Sequence, residues 1–95
     1  MIKHIVFTRF ENPAEDVPAA RAMLETLPGQ IPEIVSLETG ADCKHSERSY
    51  DMALIVVFRS MEDLAVYDTH PAHEAVRAFI KAHRTATATV DFSFS

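Results

Sequence analysis

The chain has no tryptophan, one cysteine, one asparagine and two glycines among its 95 residues. Each shortage excludes something. A single cysteine, Cys43, rules out an internal disulfide and fits a reducing compartment. Two readings stand for it: a thiol activated by Lys44 and His45, or an incidental loop residue. No Lys/Arg cluster interleaved with aromatics is present, and the formal net charge is -5. Such a surface repels phosphate backbones, so nucleic acid is not an expected partner. No apolar run is long enough to span a bilayer. The N-terminal apolar stretch is short, is interrupted by Lys3, His4 and Arg9, and does not read as a signal peptide. No membrane association is expected, and the expected location is cytoplasmic. Hydrophobic residues are nonetheless 47% of the chain, enough for a folded core in one domain over residues 1–95.

Periodicity supplies the elements. Ile2 to Phe10 alternates with apolar residues on both sides, as a strand does, and Glu11-Asn12-Pro13 breaks it. Asp16 reads as an N-cap and Pro18 as a first-turn residue. Val17, Ala20, Leu24 and Leu27 then recur at helical spacing, and Pro28-Gly29 ends that helix. Glu33 to Gly40 reads as a second strand. A polar connection leads to Tyr50 to Arg59, where both faces are apolar, which predicts a central strand buried on both sides. Ser60-Met61-Glu62-Asp63 has the form of a capping box. A helix follows, broken at Thr69-His70-Pro71 and continuing to about His83. Thr85 to Ser95 alternates almost without error: Ala86, Ala88, Val90, Phe92 and Phe94 on one face, polar residues on the other.

The order β-α-β-β-α-β predicts an α+β, ferredoxin-like protomer, with a four-stranded antiparallel sheet and helices on one face. Strands apolar on both sides would leave the second face as a large bare patch. A second copy is the simplest cover, which predicts a homodimer whose sheets pair face to face around an enclosed space.

The richest chemistry lies in Tyr67-Asp68-Thr69-His70-Pro71-Ala72-His73. A phenol, imidazoles and a carboxylate surround a proline that fixes the start of a helix. His73 near neutral pH is suited to taking an activated C–H proton, with Tyr67 donating to a carbonyl or oxyanion. The alternative is local hydrogen bonding in a first helical turn. His70 precedes proline and reads chiefly as a cap. A metal held by His70 and His73 lacks a third ligand at a characteristic spacing, so no metal is expected. His4 either lines a cavity or is a hydrogen-bonded residue in a mixed strand face. Asp91 is either a polar anchor in that cavity or the partner of a basic side chain across the sheet.

Lys3-His4-Ile5-Val6-Phe7, Leu27-Pro28 before Ile34, Phe58-x-Ser60, Tyr67-x-x-His70-Pro71-x-His73 and Val90-Asp91-Phe92 together resemble the stress-responsive dimeric α/β-barrel family. The resemblance spans nearly the whole chain. It implies a ferredoxin-like protomer and a barrel shared by a homodimer. Most members of that family have no known reaction. In polyketide-cyclase members a tyrosine and the second histidine of the run carry an aldol condensation; these map onto Tyr67 and His73, and the first-strand histidine maps onto His4. Cyclase relatives carry a further histidine where this chain has Met52, two residues after Tyr50.

The reading is therefore a homodimeric barrel protein binding a small hydrophobic ligand between helices and sheet, without cofactor. Tyr67 and His73 are the candidate catalytic pair, and His4, Tyr50, His70 and Asp91 are candidate pocket residues. A cyclase-like or other proton-transfer enzyme is the alternative. A cofactor-free or haem-handling monooxygenase is a weaker one resting on fold analogy, since the chain lacks the tryptophan, and has only Asn12 for the asparagine, that haem-degrading relatives use.

Overall fold

A computed structural model describes residues 1–95. The elements are β1 (Ile2–Phe10), α1 (Pro13–Leu24), a 3-10 turn (Leu27–Gly29), β2 (Ser36–Ala41), β3 (Met52–Phe58), α2 (Met61–Thr69), α3 (Pro71–His83) and β4 (Arg84–Ser93). All strand pairs are antiparallel, in the spatial order β2-β3-β1-β4. This is the ferredoxin-like fold, with its second helix divided in two. No helix is long and apolar enough to cross a membrane.

The core lies between the helices and one sheet face. Met52, Leu54, Val56 and Phe58 of β3 are buried against Val17, Ala20 and Leu24 of α1 and Leu64 and Tyr67 of α2. Each of the buried Val, Leu, Phe and Met side chains contributes about 1.5–3 kcal/mol. β3 is central, as its pattern predicts, but within one protomer only this side is buried. Ala53, Ile55 and Val57 on the other side remain half-exposed.

Several sequence expectations shift: α1 ends at Leu24, with Leu27 in a separate 3-10 turn, and β3 begins at Met52 rather than Tyr50. Asp16 is not the N-cap of α1: Asn12 is, and Pro13 opens the helix. Asp16 instead accepts the Asn12 N–H at 3.1 Å from inside the first turns. Pro18 consequently sits within the helix rather than in its first turn. β2 starts at Ser36, although Val35 already donates to the Val57 carbonyl at 2.8 Å.

The turn chemistry of the α2–α3 region follows the sequence closely. Ser60 Oγ accepts the Asp63 N–H at 3.2 Å. His70 has extended angles (φ -65°, ψ 136°), as the residue before proline should, and its Nδ1 accepts the Ala72 N–H at 3.1 Å. The chain therefore changes direction between Thr69 and Pro71.

The apolar face of β4 points away from the helices. Register places Val90, Ile5 and Ile55 in one row across the sheet, and Ala88, Phe7 and Ala53 in another. Phe7, Val90 and Phe92 are respectively 44%, 61% and 42% exposed, so the open sheet face is a broad apolar surface. Its two cations lie over aromatic rings: Lys3 Nζ is 4.6 Å from the Phe94 centroid and the Arg9 guanidinium 4.4 Å from that of Tyr50. The polar face of β4, with Thr87, Thr89 and Asp91, turns toward the helix side.

Candidate functional site

That polar edge forms one wall of a cavity of about 200 Å³ between the sheet and α3. His4, Val6 and Thr8 of β1 and Met52 and Leu54 of β3 form the base. Tyr67 and Asp68 of α2 and His73, Arg77 and Ile80 of α3 supply the opposite wall. The helical stripe follows from spacing: His73, Arg77 and Ile80 stand at i, i+4 and i+7.

Tyr67 is fully buried, and its hydroxyl has no hydrogen-bond partner in the protein. Its ring packs on Phe58 at 5.1 Å and meets the His4 ring edge-on at 5.9 Å. Burial, reinforced by the nearby Asp68 charge and opposed by Arg77, pushes the phenol far above its ordinary range. It remains a neutral hydrogen-bond donor.

His73 stacks on Tyr67 with 4.0 Å between centroids. Its Nδ1–H donates to the Tyr67 carbonyl at 3.0 Å. The carbonyl can only accept, so the neutral ring carries its lone pair on Nε2. Burial and then Arg77 lower the His73 pKa from its ordinary value; the carbonyl of Tyr67, with Asp68, opposes them. Arg77 is fixed by the Asp68 carbonyl, 2.7 Å from Nη2, and by Glu74, 3.3 Å from Nη1.

His4 Nδ1 is hydrogen-bonded to the carboxylate of Asp91 on the adjoining strand. The register sets the two residues directly opposite one another. Asp91 thus orients His4, which lines the cavity, without lining it itself.

The other named residues lie elsewhere. His70 caps α3 and does not line the cavity. Tyr50 lies in a separate hollow with Phe7 and Arg48, against Phe7 at 6.0 Å. The reason is that β3 begins only at Met52, leaving Tyr50 in the irregular connection before it. Met52 does line the cavity, placing a thioether at the position where the resemblance to cyclase-type members implies a histidine. Arg77, Arg84, Thr87 and Thr89 line it too and were not singled out by the sequence reasoning. For Arg77 the signal was its helical spacing from His73.

No three His, Cys, Asp or Glu side chains are grouped as a metal would need. A wider groove of about 760 Å³ runs between α1 and the β2–β3 hairpin. Its polar side chains are already engaged: Arg21 Nε donates to Thr39 Oγ1 at 2.9 Å, that hydroxyl donates to Glu25 at 2.8 Å, Asp42 accepts the His45 N–H at 2.7 Å and Asp51 accepts the Phe10 N–H at 2.8 Å. The smaller cavity holds the unpartnered groups and is the better candidate.

Residues 2–94 match the family model of the stress responsive A/B barrel domain. No match is found among curated proteins. A dimeric ferredoxin-like protein of unknown function from Bacteroides fragilis is 26% identical, with a TM-score of 0.90 over 98% of this chain and 95% of that one. Another, from Thermobifida fusca, is 27% identical, with a TM-score of 0.87 over 98% and 90% of the two chains. A hydroxynitrile lyase from Passiflora edulis shares the fold at 16% identity, with a TM-score of 0.85 over 99% and 93%.

Proposed function

Since the chain belongs to the stress responsive A/B barrel domain family, we propose that it acts as a homodimer binding a small, mainly apolar molecule in the cavity beneath α3. The observation that carries this is the Tyr67 hydroxyl, buried without a partner. Such a group costs about 1–3 kcal/mol when unsatisfied. A ligand carbonyl or hydroxyl accepting that O–H removes the cost, while Val6, Leu24, Met52, Leu54 and Ile80 receive the apolar remainder. The bare sheet face and the dimeric relatives support pairing of two copies through their sheets.

Native mass spectrometry of freshly purified protein tests the binding. A small-molecule adduct retained by wild-type protein and lost in Tyr67→Phe is expected. Retention of the same adduct by Tyr67→Phe would overturn the assignment of Tyr67.

The His73 geometry favours a second reading. A neutral imidazole with Nε2 free, beside a phenolic donor, suits removal of a proton next to a carbonyl. Nε2 would take the proton while Tyr67 donates a hydrogen bond to the enolate oxygen. This is the cyclase-like, proton-transfer alternative. Deuterium exchange into a methyl ketone, followed by proton NMR, separates it from binding alone. The monooxygenase reading gains nothing from the site, because Asn12 stands at the start of α1 and does not line the cavity.

A further inference from the structure

We infer that the cavity selects an amphiphilic molecule bearing one acid group, which Arg84 receives at the mouth while the uncharged end reaches Tyr67. This rests on the ligand-binding reading above and names the class of ligand.

The cavity has a direction. α3 runs from His73 to Ile80, and β4 returns antiparallel to it, beginning at Arg84. His73 to Ile80 spans about 10 Å at 1.5 Å per residue. Asp91 opposes His4 at one end of β4, and Arg84 opposes Phe10 at the other. The end with Tyr67, His73 and His4 is thus separated from Arg84 by most of the length of the trough, with Arg77 between.

The charges are distributed unevenly along it. Asp68, Arg77 and Arg84 are the charged side chains lining the cavity. Arg77 donates to the Asp68 backbone carbonyl and forms a salt bridge with Glu74. Asp91 offsets any charge on the His4 ring. Of the two arginines lining the cavity, Arg84 alone has neither a salt bridge nor a side-chain hydrogen bond within the chain; the Asp68 carboxylate, near Tyr67, is likewise unpaired. It is exposed, at the mouth, where a carboxylate keeps part of its hydration while meeting a planar guanidinium. At the Tyr67 end, a carboxylate would be stripped of water beside a neutral phenol and would meet the like charge of Asp68. The acid group therefore belongs at Arg84, and an uncharged acceptor at Tyr67.

The probes are 7-oxooctanoate, its methyl ester and octanoate, titrated by calorimetry into the wild-type protein and into Arg84→Gln, Arg84→Lys and Tyr67→Phe. The keto acid is expected to bind about fivefold more tightly than its ester, a modest factor because the ion pair is partly exposed. Arg84→Gln abolishes that preference and Arg84→Lys keeps part of it. Tyr67→Phe weakens the keto acid and the ester alike and leaves octanoate unchanged. Equal affinity of acid and ester for wild type, or a preference that survives Arg84→Gln, overturns the assignment of Arg84 and leaves ligand binding standing. Failure of all three probes to bind counts against both readings.

Discussion

The rings of Tyr67 and His73 stack 4.0 Å apart and 24° from parallel, and the His73 Nδ1–H is bonded to the Tyr67 carbonyl. One residue thus supplies both the surface on which the imidazole rests and the acceptor that fixes its tautomer. The contact is possible because His70 and Pro71 turn the chain between the helices that carry them. Since the Tyr67 hydroxyl has no partner, Tyr67→Phe removes a penalty and leaves the stack intact. The variant is expected to be more stable than wild type by about 1 kcal/mol in urea unfolding. A loss of stability would mean that the hydroxyl is satisfied in solution.

The lowered pKa of His73 makes stability depend on pH. Between the folded value and the unfolded value of 6.5, the unfolded state binds a proton that the folded state refuses. Stability therefore rises with pH through this window. It is lost as pH falls from the unfolded value down through the folded one. His73→Asn keeps an N–H to offer to the Tyr67 carbonyl but does not titrate. The stability difference between wild type and His73→Asn should shift against wild type on going from pH 7.5 to pH 5, read from urea midpoints at each pH. A difference independent of pH would contradict the burial of this ring.

Legibility followed the kind of interaction involved. The fold was readable because the strands and helices keep their periods, and because Ser60 and Pro71 punctuate the chain by local chemistry. Asp16 misled because an acidic residue inside a first turn looks the same in sequence as a cap one turn later; the start at Pro13 decided between them. Tyr67 and His73 were readable as candidates because one short segment holds both. The bond between His4 and Asp91 joins residues 87 apart in the chain and depends on register, which neither strand specifies alone. Arg84 was missed for a related reason. Its importance comes from lacking a partner, which only three-dimensional neighbours reveal.

His70 supplies a contrast to His73 within the same run. Its Nδ1 accepts the Ala72 N–H at 3.1 Å, the work of an N-cap. His70→Ala should cost about 1 kcal/mol, with His70→Ser or His70→Asn recovering most of it. Ligand retention in native mass spectrometry should be unchanged in all three. Loss of ligand from the well-folded His70→Asn protein would move His70 from cap to site.

The open sheet face gives the sharpest test of assembly. Ile5 and Val90 are cross-strand neighbours on it, and Val90 is 61% exposed in one protomer. Two-fold pairing would bury this patch twice, once from each copy. Val90→Glu then introduces a charge on each side of an apolar contact, where neither carboxylate has a partner. It should raise the dimer dissociation constant at least about a hundredfold, a typical consequence of an uncompensated charge at an interface centre. Analytical ultracentrifugation at micromolar concentration reads this directly: wild type sediments as a dimer, the variant as a monomer. The folded protomer should survive the change, because Val90 contributes nothing to the core between sheet and helices. A wild-type protein that is a stable monomer under these conditions would remove the dimer and require another explanation for the bare face.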